Sequence, residues 1–177
     1  MRTYIALLRG VNVVGKNLLP MKELIVMLEK IGLQNVKTYI QSGNVVFKSA
    51  LMPPELSKTI ATEIKKRFGF EPYIIILSLD ALEKVMAKNP YPEAESNPQS
   101  LHLGFLGSAP KKPDLIKLNS LKKESEKYVI TNRAFYLFAP EGVGKSKLSA
   151  NAERILGVPM TDRNWRTVCK LRDMAKE

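Results

Sequence analysis

Val36-Lys-Thr-Tyr-Ile-Gln-Ser-Gly-Asn-Val-Val-Phe-Lys48 reads as two short strands, Val36–Gln41 and Val45–Lys48, folded about a Ser42-Gly-Asn44 turn. β-Branched and aromatic residues dominate both arms, and Gly and Asn supply the turn chemistry. What flanks this hairpin decides the fold. Upstream, Tyr4 to Leu8 is an apolar strand. Pro20 then opens a helix in which Met21, Leu24, Ile25, Leu28 and Ile31 recur at helical spacing, and Gly32 marks its end. Downstream, Pro53-Pro54 starts a second helix with Leu56, Ile60, Ile64 and Phe68 on one stripe, closed by Gly69. Tyr73 to Leu77 is an unbroken β-rich run. The order β-α-β-β-α-β is the split βαβ of a ferredoxin-like sheet, which predicts an α+β lobe over residues 1–88.

Ser78 is placed to cap a short helix, and residues 89–99, with Pro90, Pro92 and Pro98, read as a linker. A second α+β lobe is expected over 100–177. Its elements are a strand Leu101–Leu106, a short basic helix within 110–123, and a hairpin of Lys127–Thr131 and Ala134–Ala139 turning at Asn132-Arg133. Two terminal helices, Ser146–Leu156 and Asp162–Ala175, would complete it around Gly157-Val-Pro159. The predicted fold class is therefore α+β in two small lobes. No internal repeat is evident.

Composition narrows the functional classes. The 177 residues carry 28 Lys+Arg against 17 Asp+Glu, a net charge of +11, which favours polyanionic partners such as nucleic acid, anionic lipid or a phosphorylated ligand. A single cysteine, Cys169, permits no internal disulfide and fits a reducing compartment. No apolar run reaches the roughly 20 residues that span a bilayer, so a cytoplasmic protein without membrane partners is expected. One Cys and one His make no usual zinc site, and no cofactor motif stands out. His102 alternates with Leu101 and Leu103 in a strand and has no evident catalytic partner, so no group is marked as catalytic.

Ala139-Pro-Glu-Gly-Val-Gly-Lys-Ser146 has the look of a phosphate-cradling loop between strand and helix. Ala139 replaces its first glycine, and too little chain follows to build the parallel strands of a nucleotide hydrolase. What survives is an anion site at Lys145, Ser146 and Lys147, or a turn in which Ser146 caps the helix. In the first loop, Arg9, Asn12, Lys16 and Asn17 are donors on a glycine-loosened segment. Arg163, Arg166 and Lys170 fall at i, i+3 and i+7 of the expected last helix and would form a basic stripe, with Trp165 and Cys169 in the core. Tyr4, Tyr39 and Phe47 sit where RNA-recognition modules stack bases, but the aromatic signature run of those modules is absent.

Four stretches together resemble an uncharacterised bacterial family, domain-of-unknown-function family 1697. They are Leu8-Arg-Gly-Val-Asn-Val-Val-Gly-Lys-Asn17, Tyr39-Ile-Gln-Ser-Gly-Asn-Val-Val-Phe47, Gly144-Lys-Ser-Lys-Leu148 and Thr161-Asp-Arg-Asn-Trp-Arg-Thr-Val168. The resemblance implies an α+β protein of ferredoxin-like character with a cytoplasmic role. It implies no activity, substrate or catalytic residue. It locates polar motif positions at Arg9, Asn12, Gly15, Lys16, Gln41, Ser42, Asn44, Lys145, Ser146, Arg163 and Asn164. Three readings follow. The first is a binding protein for a phosphate-bearing partner, nucleic acid or nucleotide, using these residues with Asn17 and Lys147. The second is an enzyme with a pocket between the lobes. The third is an interaction module in which the polar motifs tie loops together.

Overall fold

The computed structural model describes all 177 residues. Its first six elements are β1 (Arg2–Leu8), α1 (Met21–Lys30), β2 (Gln34–Tyr39), β3 (Asn44–Ser49), α2 (Pro53–Phe68) and β4 (Ile74–Ser78). The β-α-β-β-α-β order read from sequence is present, and the strands form an antiparallel sheet in the order β2-β3-β1-β4. Tyr4, Ala6, Leu8, Val45 and Phe47 share a core with Leu24, Leu28, Leu56, Ile60 and Ile64 of α1 and α2. Ile5, Leu7 and Val46, on the opposite face, are also buried. A sheet covered on both faces explains why β1 is an unbroken apolar run and not an alternating one.

Eight further elements follow: α3 (Leu79–Ala87), β5 (Leu101–Leu106), α4 (Leu115–Leu121), β6 (Lys127–Ile130), β7 (Ala134–Phe138), α5 (Lys147–Leu156), β8 (Met160–Asn164) and α6 (Trp165–Lys176). Residues 89–99 hold a 3-10 turn, Pro92–Ser96. The fold is α+β in two units, one of Met1–Lys84 with Lys170–Glu177, the other of Val85–Cys169. No helix is long and apolar enough to cross a membrane.

The end of the chain differs from the sequence reading. Met160-Thr-Asp-Arg-Asn164, expected to lead into and begin the last helix, is a strand paired with β5. It lies at the sheet edge, and its two buried residues are Thr161 and Arg163, so no apolar alternation announces it. The consequence reaches further than one strand. With β8 in place, the second sheet has the order β6-β7-β5-β8, and β5 to β8 repeat the topology of β1 to β4.

The repeat extends to single hydrogen bonds. Leu8 N–H donates to Gly43 O at 2.8 Å and Arg9 N–H to Tyr73 O at 2.9 Å. In the second unit Leu106 N–H donates to Arg133 O at 2.9 Å and Gly107 N–H to Pro159 O at 2.8 Å. Gly69 and Gly157 both close the second helix of their repeat in the left-handed conformation. Ser78 Oγ accepts from Ala81 N–H at the start of α3, and Asn164 Oδ1 accepts from Thr167 N–H at the start of α6. The duplicated architecture is thus held by equivalent backbone bonds, closing glycines and helix caps, the capping residue being Ser78 in one unit and Asn164 in the other.

Candidate functional site

The 9–20 loop and the turn before β3 meet at one end of the first sheet. Asn12 fastens them. Its side-chain amide donates to Leu19 O at 3.0 Å and Gln41 O at 2.8 Å, and its oxygen accepts from Leu19 N–H at 2.7 Å. Asn17 Nδ2 donates to Gly10 O at 2.9 Å, and the Asn12 N–H to Asn17 O at 3.0 Å. Asn44 is fully buried and donates to Tyr39 O and Ser42 Oγ. Gly43 has no room for a side chain, since a Cβ there would lie 2.7 Å from both Leu8 Cβ and Val11 Cγ2.

This anchoring holds an unusual backbone. Four of the five non-glycine residues with positive φ lie in these two segments: Asn12 (53°), Val14 (48°), Asn17 (51°) and Ile40 (48°). Asn tolerates that region, but β-branched Val and Ile do so only at a cost of about 1–2 kcal/mol each. Val14 and Gly15 turn a tight hairpin closed by Lys16 N–H to Val13 O at 2.9 Å. Val14 is 93% exposed at its tip, and Val13, Leu18 and Ile40 are exposed beside it. Arg9, Lys16 and Gln41 are exposed on the same two segments. Sequence reading found the polar residues here and missed the aliphatic ones, because nothing in an isolated Val or Ile signals a left-handed backbone.

The second-unit candidates are arranged differently. Ser146 is buried and its Oγ accepts from Ser149 N–H at 3.0 Å, so it caps α5. Within the preceding loop, Gly142 N–H donates to Ala139 O and Ser146 N–H to Val143 O. Those two amides close turns. Glu141 in the same loop pairs with Lys123 at 3.0 Å and accepts from Ser125. Lys145 and Lys147 are exposed beside it. Arg163, expected on a helical stripe with Arg166 and Lys170, lies instead on β8 and is buried. Its Nη1 donates to Thr161 Oγ1 and Asp162 O, and burial lowers its pKa to about 10 against the favourable charge of Asp162. Asn164 caps α6.

His102 is buried, with Nδ1 2.7 Å from Asp162 Oδ2 and Nε2 3.2 Å from Gln99 O. Both nitrogens face acceptors, an arrangement that the doubly protonated ring satisfies. Desolvation pulls the pKa of this imidazole down, but the hydrogen bond and charge of Asp162, with the Gln99 carbonyl, outweigh it and the net shift is upward. The pair clasps β5 to β8. Tyr4 and Phe47 pack as a tilted pair in the core at 6.1 Å between centroids and offer no platform for bases.

The profile of the DUF1697 family, described as a protein of unknown function, matches residues 1–136. The chain belongs to that family. This DUF1697 protein is also similar, over 98% of each chain, to the conserved bacterial protein SP0830 from Streptococcus pneumoniae, at 28% identity and a TM-score of 0.71. No curated protein matches the chain. The DUF1697 match takes in the whole anchored platform, from Arg9 to Asn44, and stops short of Lys145, Ser146, Lys147, Arg163 and Asn164.

Proposed function

We propose that this protein binds a phosphate-bearing partner, nucleic acid or nucleotide, on the loop platform of its first unit, and does so in the cytoplasm. We read both sheets as ferredoxin-like scaffolds that hold the platform. The observation that carries the reading is the concentration of strained backbone in two mutually anchored segments. Strain of this kind persists only where surrounding structure enforces it, and it gathers at binding sites. Arg9 and Lys16 supply positive charge on these segments, Gln41 adds a neutral donor, and the net charge of +11 raises the local concentration of polyanions. Asn12, Asn17, Ser42 and Asn44 act as architecture, since their side chains are committed to the loops themselves.

The experiment compares two double reversals of identical net charge. Arg9→Glu/Lys16→Glu alters the platform, and Lys58→Glu/Lys66→Glu alters exposed lysines of α2. Binding of a fluorescein-labelled 20-mer RNA and of ATP is followed by anisotropy and calorimetry. The proposal expects the platform variant to weaken binding of at least one of these probes by about tenfold or more and the α2 variant to change it little. Equal losses in both variants would reduce the effect to net charge and overturn the site.

A further inference from the structure

The two repeats differ at one edge. In the first sheet the edge strand β2 is interrupted by an irregularity between Gln34 and Lys37, where Asn35 has φ 52°, and Lys37 pairs with Glu177. Such a bulge with an edge lysine is a usual defence against unwanted strand pairing. Its counterpart β6 carries no bulge, and its register against β7 is unbroken from Lys127 to Ile130. The accompanying helix is shorter too, seven residues in α4 against ten in α1. A groove of about 470 Å³ is left beside the strand, lined by Leu115, Asn119 and Lys122 on one side and Lys127, Tyr128 and Ile130 on the other.

The strand's free backbone faces outward. Thr131 N–H donates to Ala134 O at 2.8 Å, which fixes Thr131 as a hydrogen-bonded position of the hairpin. Antiparallel pairing alternates, so Val129 and Lys127 also face β7, and the N–H and C=O groups of Tyr128 and Ile130 point to the open edge. Glu126, also in the groove wall, is buried, and its Oε1 is the one buried side-chain polar atom without a hydrogen-bond partner. Its other carboxylate oxygen accepts from Lys123 N–H at 2.9 Å.

We propose that the groove between α4 and β6 receives an extended peptide as a fifth strand of the second sheet, with apolar residues at its centre and acidic residues at its ends. The peptide backbone supplies the partners that Tyr128 and Ile130 present, as in recognition by strand addition. Leu115 and the exposed Val129 provide apolar contact; the exposed Lys127 meets one acidic end, and Lys122, whose ammonium also donates to Lys123 O and Glu126 O, adds positive charge at the other. This site is independent of the phosphate-binding platform.

The probe is acetyl-Glu-Val-Thr-Val-Thr-Glu-amide, titrated into the ¹⁵N-labelled full chain. Two further peptides carry backbone N-methyl groups at either the odd or the even positions. Strand addition uses only alternate amides. The parent peptide should therefore shift the amide signals of Tyr128 and Ile130, one methylated peptide should bind as the parent does, and the other at least tenfold more weakly. Lys127→Glu should weaken the parent peptide several-fold without altering the spectrum elsewhere. Equal binding of both methylated peptides, or shifts confined to residues outside α4 and β6, would overturn the proposal. So would sedimentation showing that β6 is already covered by a second copy of the chain.

Discussion

Replacing Asn12 by alanine tests whether one side chain holds the platform together. The substitution removes three hydrogen bonds, to Leu19 O, Gln41 O and from Leu19 N–H. At a net value of about 1 kcal/mol each, discounted because the site is half-buried and water replaces part of the loss, they amount to roughly 2 kcal/mol. Alanine must also adopt φ 53°, which adds about 1 kcal/mol. The expected loss for Asn12→Ala is therefore about 3 kcal/mol, or roughly 6–12 °C in Tm for a chain of this size. Asn12→Gly loses the same bonds but takes the left-handed conformation freely, so it should lose only about 2 kcal/mol. Urea unfolding followed by circular dichroism measures both, and amide exchange at Leu19 and Asn12 reports the loop directly. If both variants unfold within about 0.5 kcal/mol of the parent, as surface substitutions usually do, Asn12 does not fasten the platform.

Gly43→Ala should destabilise by about 3 kcal/mol, from overpacking against Leu8 and Val11 and from the positive φ of 74°; a stability within 1 kcal/mol of the parent would show that the β2–β3 turn shifts freely. Val14→Gly should instead stabilise by up to about 1 kcal/mol by relieving an exposed strained residue, while weakening ligand binding if the aliphatic tip touches the partner; a scanning calorimetry trace and the anisotropy titration check the two halves separately. His102 has a raised pKa in the folded protein, so its contribution to stability is complete below its unfolded value near 6.5 and is lost as pH rises through the folded pKa. Asp162→Asn should lower the imidazole pKa seen by NMR and flatten the decline of unfolding free energy above pH 6.5, and an unchanged titration would remove Asp162 as the cause.

Much of the scaffold is legible in the sequence because its signals are local. Helical spacing from Met21 to Ile31, the Pro and Gly boundaries of the first two helices, and the Asn132-Arg133 turn all act within a few residues. β8 was hidden for the opposite reason. Its pairing with β5 is nonlocal, and an edge strand whose buried positions are Thr161 and Arg163 has no apolar pattern to read. Without β8 the duplication is also hidden, since what repeats is topology, backbone bonds and helix caps whose residues differ, Ser78 in one unit and Asn164 in the other. At the platform, sequence identified the polar residues but could not separate donors committed to loops, such as Asn12 and Asn44, from the exposed Lys16 and Gln41. That separation depends on the meeting of two segments about 30 residues apart, as the Asn12–Gln41 bond records. The Gly-Lys-Ser stretch shows the converse, a pattern in which the Gly142 and Ser146 amides close turns once the chain is folded.

The most direct test of the central claim is the salt dependence of RNA binding in the Arg9→Glu/Lys16→Glu protein. Each phosphate contact by a cation contributes about 0.7 to the slope of log K against log salt for a single strand. Removing two contacts should flatten that slope by about 1.4 relative to the parent, whereas Lys58→Glu/Lys66→Glu should leave it nearly unchanged. An unaltered slope in the platform variant would contradict the account.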